Sequence, residues 1–109
     1  VSAVPPFDAQ LEALIGCLTA CAPIEQIILF GSRARGDFEE LSDYDLLVIV
    51  PDSGYLNGLA LKLRRSADRV AVAKDLVVAS HSIMDSQSTI PGTIYYEAAQ
   101  AGLTVYVAA

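Results

Sequence analysis

Leu11, Leu14, Ile15 and Leu18 recur at helical spacing, which predicts a helix over about Asp8 to Cys21 with Asp8 as its N-cap. Pro5-Pro6 precedes that helix and Pro23 ends it. The apolar run from Ile24 to Phe30 then reads as a first strand. A second run, Leu46-Leu47-Val48-Ile49-Val50, predicts a strand over about Asp43 to Val50. Pro51-Asp52-Ser53-Gly54 closes it with turn chemistry. Between the two strands lies a turn with a short helical piece, carrying Arg33, Arg35, Asp37, Glu39 and Glu40. Leu56, Leu59, Ala60, Leu63, Ala67 and Val70 fall on one face of a helix over about Tyr55 to Val70. A third strand is expected from about Val72 to Ser80. Pro91 suits the first turn of a last helix, Gly102 its end, and Leu103 to Val107 a short final strand. The order helix–strand–strand–helix–strand–helix–strand predicts an α/β layered domain.

Composition narrows the class. A chain of 109 residues has room for one domain, read here as 1–109, with a single core. The hydrophobic fraction of 53% exceeds the usual ~45–50% of soluble domains, which leaves surface for a partner interface or a homo-oligomer. No apolar run approaches the ~18 residues of a membrane span and no signal peptide is visible, so the expected location is the cytoplasm. Seven basic against thirteen acidic residues give a net charge of −6. That argues against broad nucleic-acid binding. Cys17 and Cys21 fall within one helix, where a disulfide is geometrically poor. With one distant histidine they lack the ligand count for a metal, and they read as small buried hydrophobes.

The chemistry concentrates between Gly31 and Asp45. If the second apolar run is a strand, alternation puts Asp43 and Asp45 on one face and Tyr44 on the other. Two neighbouring carboxylates repel unless a cation lies between them, and magnesium is the usual one where phosphates are present. The competing reading is a Ser42-Asp43 turn with Asp45 as a capped edge residue. Gly31-Ser32, where a strand yields to a turn, offers backbone N–H groups and a hydroxyl to phosphates. Arg33 and Arg35 suit phosphate neutralisation, and equally suit pairing with Asp37, Glu39 or Glu40. Asp75 interrupts an apolar strand after Lys74. It is either half of a surface Lys–Asp pair or a third carboxylate, serving as base or metal ligand. Lys62, Arg65 and Arg69 form a helical stripe that is most simply a solvated face, with a triphosphate contact or an acidic partner as alternatives. His81 suits a cap or loop role, and Tyr95-Tyr96 core or interface.

Gly31-Ser32, the ten residues Arg33 to Ser42, and Asp43-Tyr44-Asp45 resemble the signature of the minimal nucleotidyltransferases of the DNA polymerase β-like superfamily. Lys74-Asp75-Leu76-Val77-Val78 sits where that family carries its third carboxylate. The ending Ile90-Pro91-Gly92 through Tyr106 resembles the last helix and strand of small stand-alone members. The resemblance implies a mixed sheet of about four strands flanked by helices. It implies catalytic and metal-binding roles for Asp43, Asp45 and Asp75, with Gly31, Ser32 and Arg33 holding the nucleotide. It further implies two Mg2+ ions, ATP as substrate, and transfer of AMP to a hydroxyl, a tyrosine by expectation. The implied partner is a HEPN-domain toxin, with this chain as the antitoxin. Two other readings stay open: an inert antitoxin that acts by contact, and a small-molecule transferase of the aminoglycoside-modifying type.

Overall fold

A computed structural model describes residues 8–109, so the expectation for Pro5-Pro6 lies outside the described residues. Helix α1 spans Ala9–Cys21, and Asp8 caps it by accepting the Leu11 N–H at 2.8 Å. Strand β1 (Gln26–Phe30) leads through Gly31 into the short helix α2 (Ser32–Arg35), and β2 spans Tyr44–Val50. Helix α3 (Leu59–Ala67), strand β3 (Lys74–Ser80), helices α4 (His81–Gln87) and α5 (Ile94–Ala101), and strand β4 (Leu103–Val107) complete the chain.

The four strands form one mixed sheet in the order β3-β2-β1-β4. β1 pairs antiparallel with β2 and β4, and β2 pairs parallel with β3. Side-chain alternation gives the sheet two apolar faces. One face, with Ile27, Leu29, Leu46, Val48 and Val78, is covered by Leu11, Leu14 and Leu18 of α1 and Leu63 and Ala67 of α3. The other, with Ile28, Phe30, Leu47, Ile49 and Ala79, is covered by Ala98 of α5 and by Met84, Ile94 and Tyr95. The central strands are buried on both sides, which is why β1 and β2 read as continuous apolar runs rather than alternating ones.

Three elements differ from the sequence pattern. Helix α3 is shorter than its apolar periodicity suggests, because Asp52–Gly54 forms a separate 3-10 turn and Gly58 enters the left-handed region at φ 84. Tyr55 and Leu56 therefore stay exposed ahead of the helix. An unexpected helix, α4, follows β3 directly, with Ser80 capping the Ile83 N–H. Its first residue, His81, hydrogen-bonds Glu25 through Nδ1 at 2.7 Å, and its Nε2 lies 3.1 Å from the Asp85 carboxylate. The last helix starts at Ile94 behind a Thr93 cap, leaving Pro91-Gly92 in the preceding turn.

A polar hub pins the first helix to the loop between α2 and β2. Arg33 is only 4% exposed. Its Nε and Nη2 donate to the carbonyls of Ser42 and Glu40 at 2.9 and 3.0 Å, and its guanidinium stacks over the rings of Tyr44 and Phe38. The Tyr44 hydroxyl donates to Asp8 at 2.8 Å. Burial first, and that hydrogen bond second, push its pKa up to about 12. Removing the guanidinium orphans two carbonyls and the ring faces together. Arg33→Ala is therefore expected to destabilise the protein by about 2–4 kcal/mol in a denaturant titration, and Arg33→Lys to recover only part of that. A change within a few tenths would contradict the structural role.

Candidate active site

Strand polarity gathers the chemistry at one end of the sheet. β1 ends where β2 begins, so Phe30 pairs with Asp45 and the following Gly31-Ser32 turn falls beside that carboxylate. β3 runs parallel to β2 and places Asp75 directly across from Asp45 in register. Parallel neighbours in register point to the same face, so Asp75 and Asp45 project together. Asp43 lies just ahead of β2, two residues before Asp45, and its charge acts on that carboxylate. Tyr44, between them, turns into the α1 face. Asp43 and Asp75 are exposed and Asp45 is half-buried.

Crowding marks Asp45 as the centre of the cluster. Its pKa is raised, first by burial, then by the charges of Asp75, Asp43 and Glu97, with Arg35 opposing. Gly31 meets the same carboxylate from the other side. Its backbone sits at φ 76, ψ −155, a region open essentially to glycine alone. A Cβ built there would run into the Asp45 carboxylate. The main chain thus approaches this carboxylate as closely as a residue without a side chain permits.

The two arginines part company. They lie two positions apart on α2, so a helix turns them to nearly opposite sides. Arg33 is buried in the hub on the α1 side, with its donors engaged. Arg35 is exposed, pairs with Asp37 at 3.3 Å, and is the arginine whose charge reaches Asp45. The stripe of Lys62, Arg65 and Arg69 belongs to the layer over the opposite sheet face. Glu97 on α5 was not singled out by the sequence; nothing around it signals a site, and only the packing of Ala98 on the sheet brings it near Asp45.

An oxygen-only donor set around a carboxylate held in its less favourable charged form suits a hard divalent cation such as magnesium. Among the described residues no three acidic, histidine or cysteine side chains, the three aspartates included, stand close enough together to hold an ion by themselves. Magnesium keeps several ligands from water and substrate phosphates, so a few carboxylates suffice to hold it once those are bound.

A family model described as a nucleotidyltransferase domain matches residues 11–85. The chain belongs to that family. Two Methanocaldococcus jannaschii proteins named as putative protein adenylyltransferases are similar to it. One is 36% identical over 55 residues, which is 50% of this chain and 54% of the relative. The second is 51% identical over 41 residues, 37% of this chain and 41% of the relative. The chain thus spans about half the length of the curated relatives it matches. A crystal structure described as a toxin-antitoxin with AMP-PNP superposes at a TM-score of 0.67 and 23% identity, over 93% of this chain and 75% of that one. A crystal structure of a putative nucleotidyltransferase from Sulfolobus solfataricus superposes at a TM-score of 0.54 and 18% identity, over 97% and 90%. At those identities the likeness is one of fold. The mixed four-stranded sheet flanked by helices is the architecture expected from the signature.

Proposed function

We propose that this chain moves AMP from ATP to a hydroxyl group of a partner protein, a tyrosine of a HEPN toxin, and acts in this way as its antitoxin. The observation that carries the chemical half is the contact of Gly31 with Asp45, flanked in register by Asp75. It joins a side-chain-free approach for phosphate to a set of converging carboxylates. The relatives named as protein adenylyltransferases and the toxin-antitoxin neighbour bound to AMP-PNP support a protein acceptor and an adenine nucleotide.

In this reading Asp43 and Asp45 hold magnesium, with Asp75 beside them. Bound there, the ions would supply charge neutralisation for the triphosphate and the leaving pyrophosphate. The backbone at Gly31 and the Ser32 hydroxyl orient the outer phosphates, and the free side of Arg35 faces their charge. Arg33, the arginine expected from the signature to touch the nucleotide, serves by fixing the loop that presents Asp43. The acceptor oxygen attacks the α-phosphorus while the bond from that phosphorus to the bridging oxygen breaks, releasing pyrophosphate. Asp75, exposed on the strand next to Asp45, takes the acceptor's proton.

Ser32→Ala tests the cradle separately from the interface. Incubated with the cognate partner, ATP and magnesium, it is expected to transfer AMP about 10²-fold more slowly, the scale of one lost positioned donor. The complex with the partner should survive, as measured by analytical ultracentrifugation. Unchanged transfer, read by intact mass spectrometry, would remove Ser32 from the site.

A further inference from the structure

The basic residues are distributed unevenly for a chain of net charge −6. Four of the seven, Lys62, Arg64, Arg65 and Arg69, lie on α3 and the turn that follows it. Among the described residues the ion pairs engage Arg33, Arg35, Lys74 and His81. Lys62, Arg65 and Arg69 enter none of them, and residues 1–7 contain no Asp or Glu that would pair with them. All three are exposed. They line a groove of about 320 Å³ between α1 and α3, together with Cys17, Cys21 and Ser66.

The groove is built rather than incidental. Ser66 Oγ donates to the Cys17 carbonyl at 2.8 Å, and Cys21 Sγ lies 3.8 Å from the Lys62 carbonyl, so side-chain bonds between the helices hold its floor. That floor is small and uncharged, and no carboxylate lines the groove. Helices α1 and α3 cover the sheet face opposite the one from which Asp45 and Asp75 project. The cations therefore cannot serve a nucleotide at the carboxylate cluster, and their occupant leaves that cluster open.

We infer that the α1–α3 groove is a docking surface for an acidic segment of a partner protein, its carboxylates meeting Lys62, Arg65 and Arg69 and its small apolar side chains resting on Cys17 and Cys21. Charge complementarity chooses the occupant. Three cations on a molecule of net charge −6 attract a short run of carboxylates, whereas an extended polynucleotide would also meet the repulsion of that net charge. The volume fits a few side chains and no folded domain. This inference stands without nucleotide or transfer, so it fails or holds independently of the proposed activity.

Cys17 and Cys21 are the chain's only cysteines and report directly on the groove. The probe is a fluorescent fourteen-residue helical peptide with Glu on one face and Ala and Leu on the other, and the controls are its Glu-to-Gln counterpart and a twelve-nucleotide single-stranded RNA. The Glu peptide is expected to bind, to slow alkylation of both thiols, and to weaken as salt rises. Replacing Lys62, Arg65 and Arg69 together by Gln should reduce its affinity about tenfold, while Asp43→Asn with Asp45→Asn leaves it intact or tighter. Equal binding of the Gln peptide, absence of thiol protection, preferential binding of the RNA at the groove, or burial of the thiols by self-association without peptide would each overturn the inference.

Discussion

Asp43→Asn combined with Asp45→Asn is expected to lower AMP transfer by on the order of 10³-fold or more, and to leave the protein folded and more heat-resistant at neutral pH. Both effects come from one arrangement. The ionised Asp45 carboxylate is half-buried and faces three like charges, from Asp75, Asp43 and Glu97, so its pKa in the folded protein is raised. A raised carboxylate favours the fold below its unfolded value, near ~3.9. That contribution is lost as pH rises through the folded value, because ionisation is harder in the native state than in the unfolded one. At neutral pH the wild-type protein therefore carries an electrostatic cost that the double variant lacks. Melting curves without metal should separate the two proteins most at neutral pH and converge in acid. Added magnesium should raise the melting temperature of the wild type and not of the variant. A variant that melts clearly lower in metal-free buffer at neutral pH would instead make these aspartates part of the scaffold.

Gly31→Ala should damage the same site without touching any charge. An alanine at φ 76, ψ −155 costs about 1–3 kcal/mol in backbone strain, lowering the melting temperature by roughly 4–20 °C. Its methyl group would also meet the Asp45 carboxylate. That carboxylate can swing aside, so the protein is expected to fold, but with Asp45 displaced from its position between Asp43 and Asp75. Misplacement on that scale costs transfer about 10²-fold. The comparison with Gly31→Ser separates strain from chemistry: serine adds the same Cβ and a hydroxyl, and is expected to rescue nothing. Wild-type activity in either variant would mean that the turn is not the phosphate approach.

The elements legible in the sequence are those whose signals are local. Asp8 is followed by a regular apolar stripe, and α1 starts behind it. The buried runs that become β1 and β2 leave little choice of register, because Asp45 must stand at the mouth of the sheet. β4 begins where Gly102 releases the chain. Helix α4 was missed because His81-Ser-Ile-Met-Asp-Ser-Gln has no buried residue and so no apolar period; its only announcement is Ser80, which sits at the end of a strand and caps the next helix in the same step. The site divides in the same way. The aspartates and Gly31-Ser32 are read from spacing along adjoining strands. The burial of Arg33 and the exposure of Arg35 depend on the rotation of a one-turn helix, whose phase is set by the Tyr44 and Phe38 rings that take in Arg33. Glu97 is 22 positions from Asp75, and only the return of α5 across the sheet brings its charge to Asp45.

In the proposed activity the carboxylate cluster transfers AMP to a protein acceptor. Intact mass spectrometry of the cognate partner, after incubation with this chain, ATP and magnesium, tests it most directly. The partner is expected to become heavier by whole AMP units, with the modified hydroxyl on a tyrosine, and to carry no adduct when Asp43 and Asp45 are both replaced by asparagine or when magnesium is withheld. A partner of unchanged mass under every metal condition, neutralised equally well by the wild type and by the double variant, would contradict it and leave a protein that acts by contact alone.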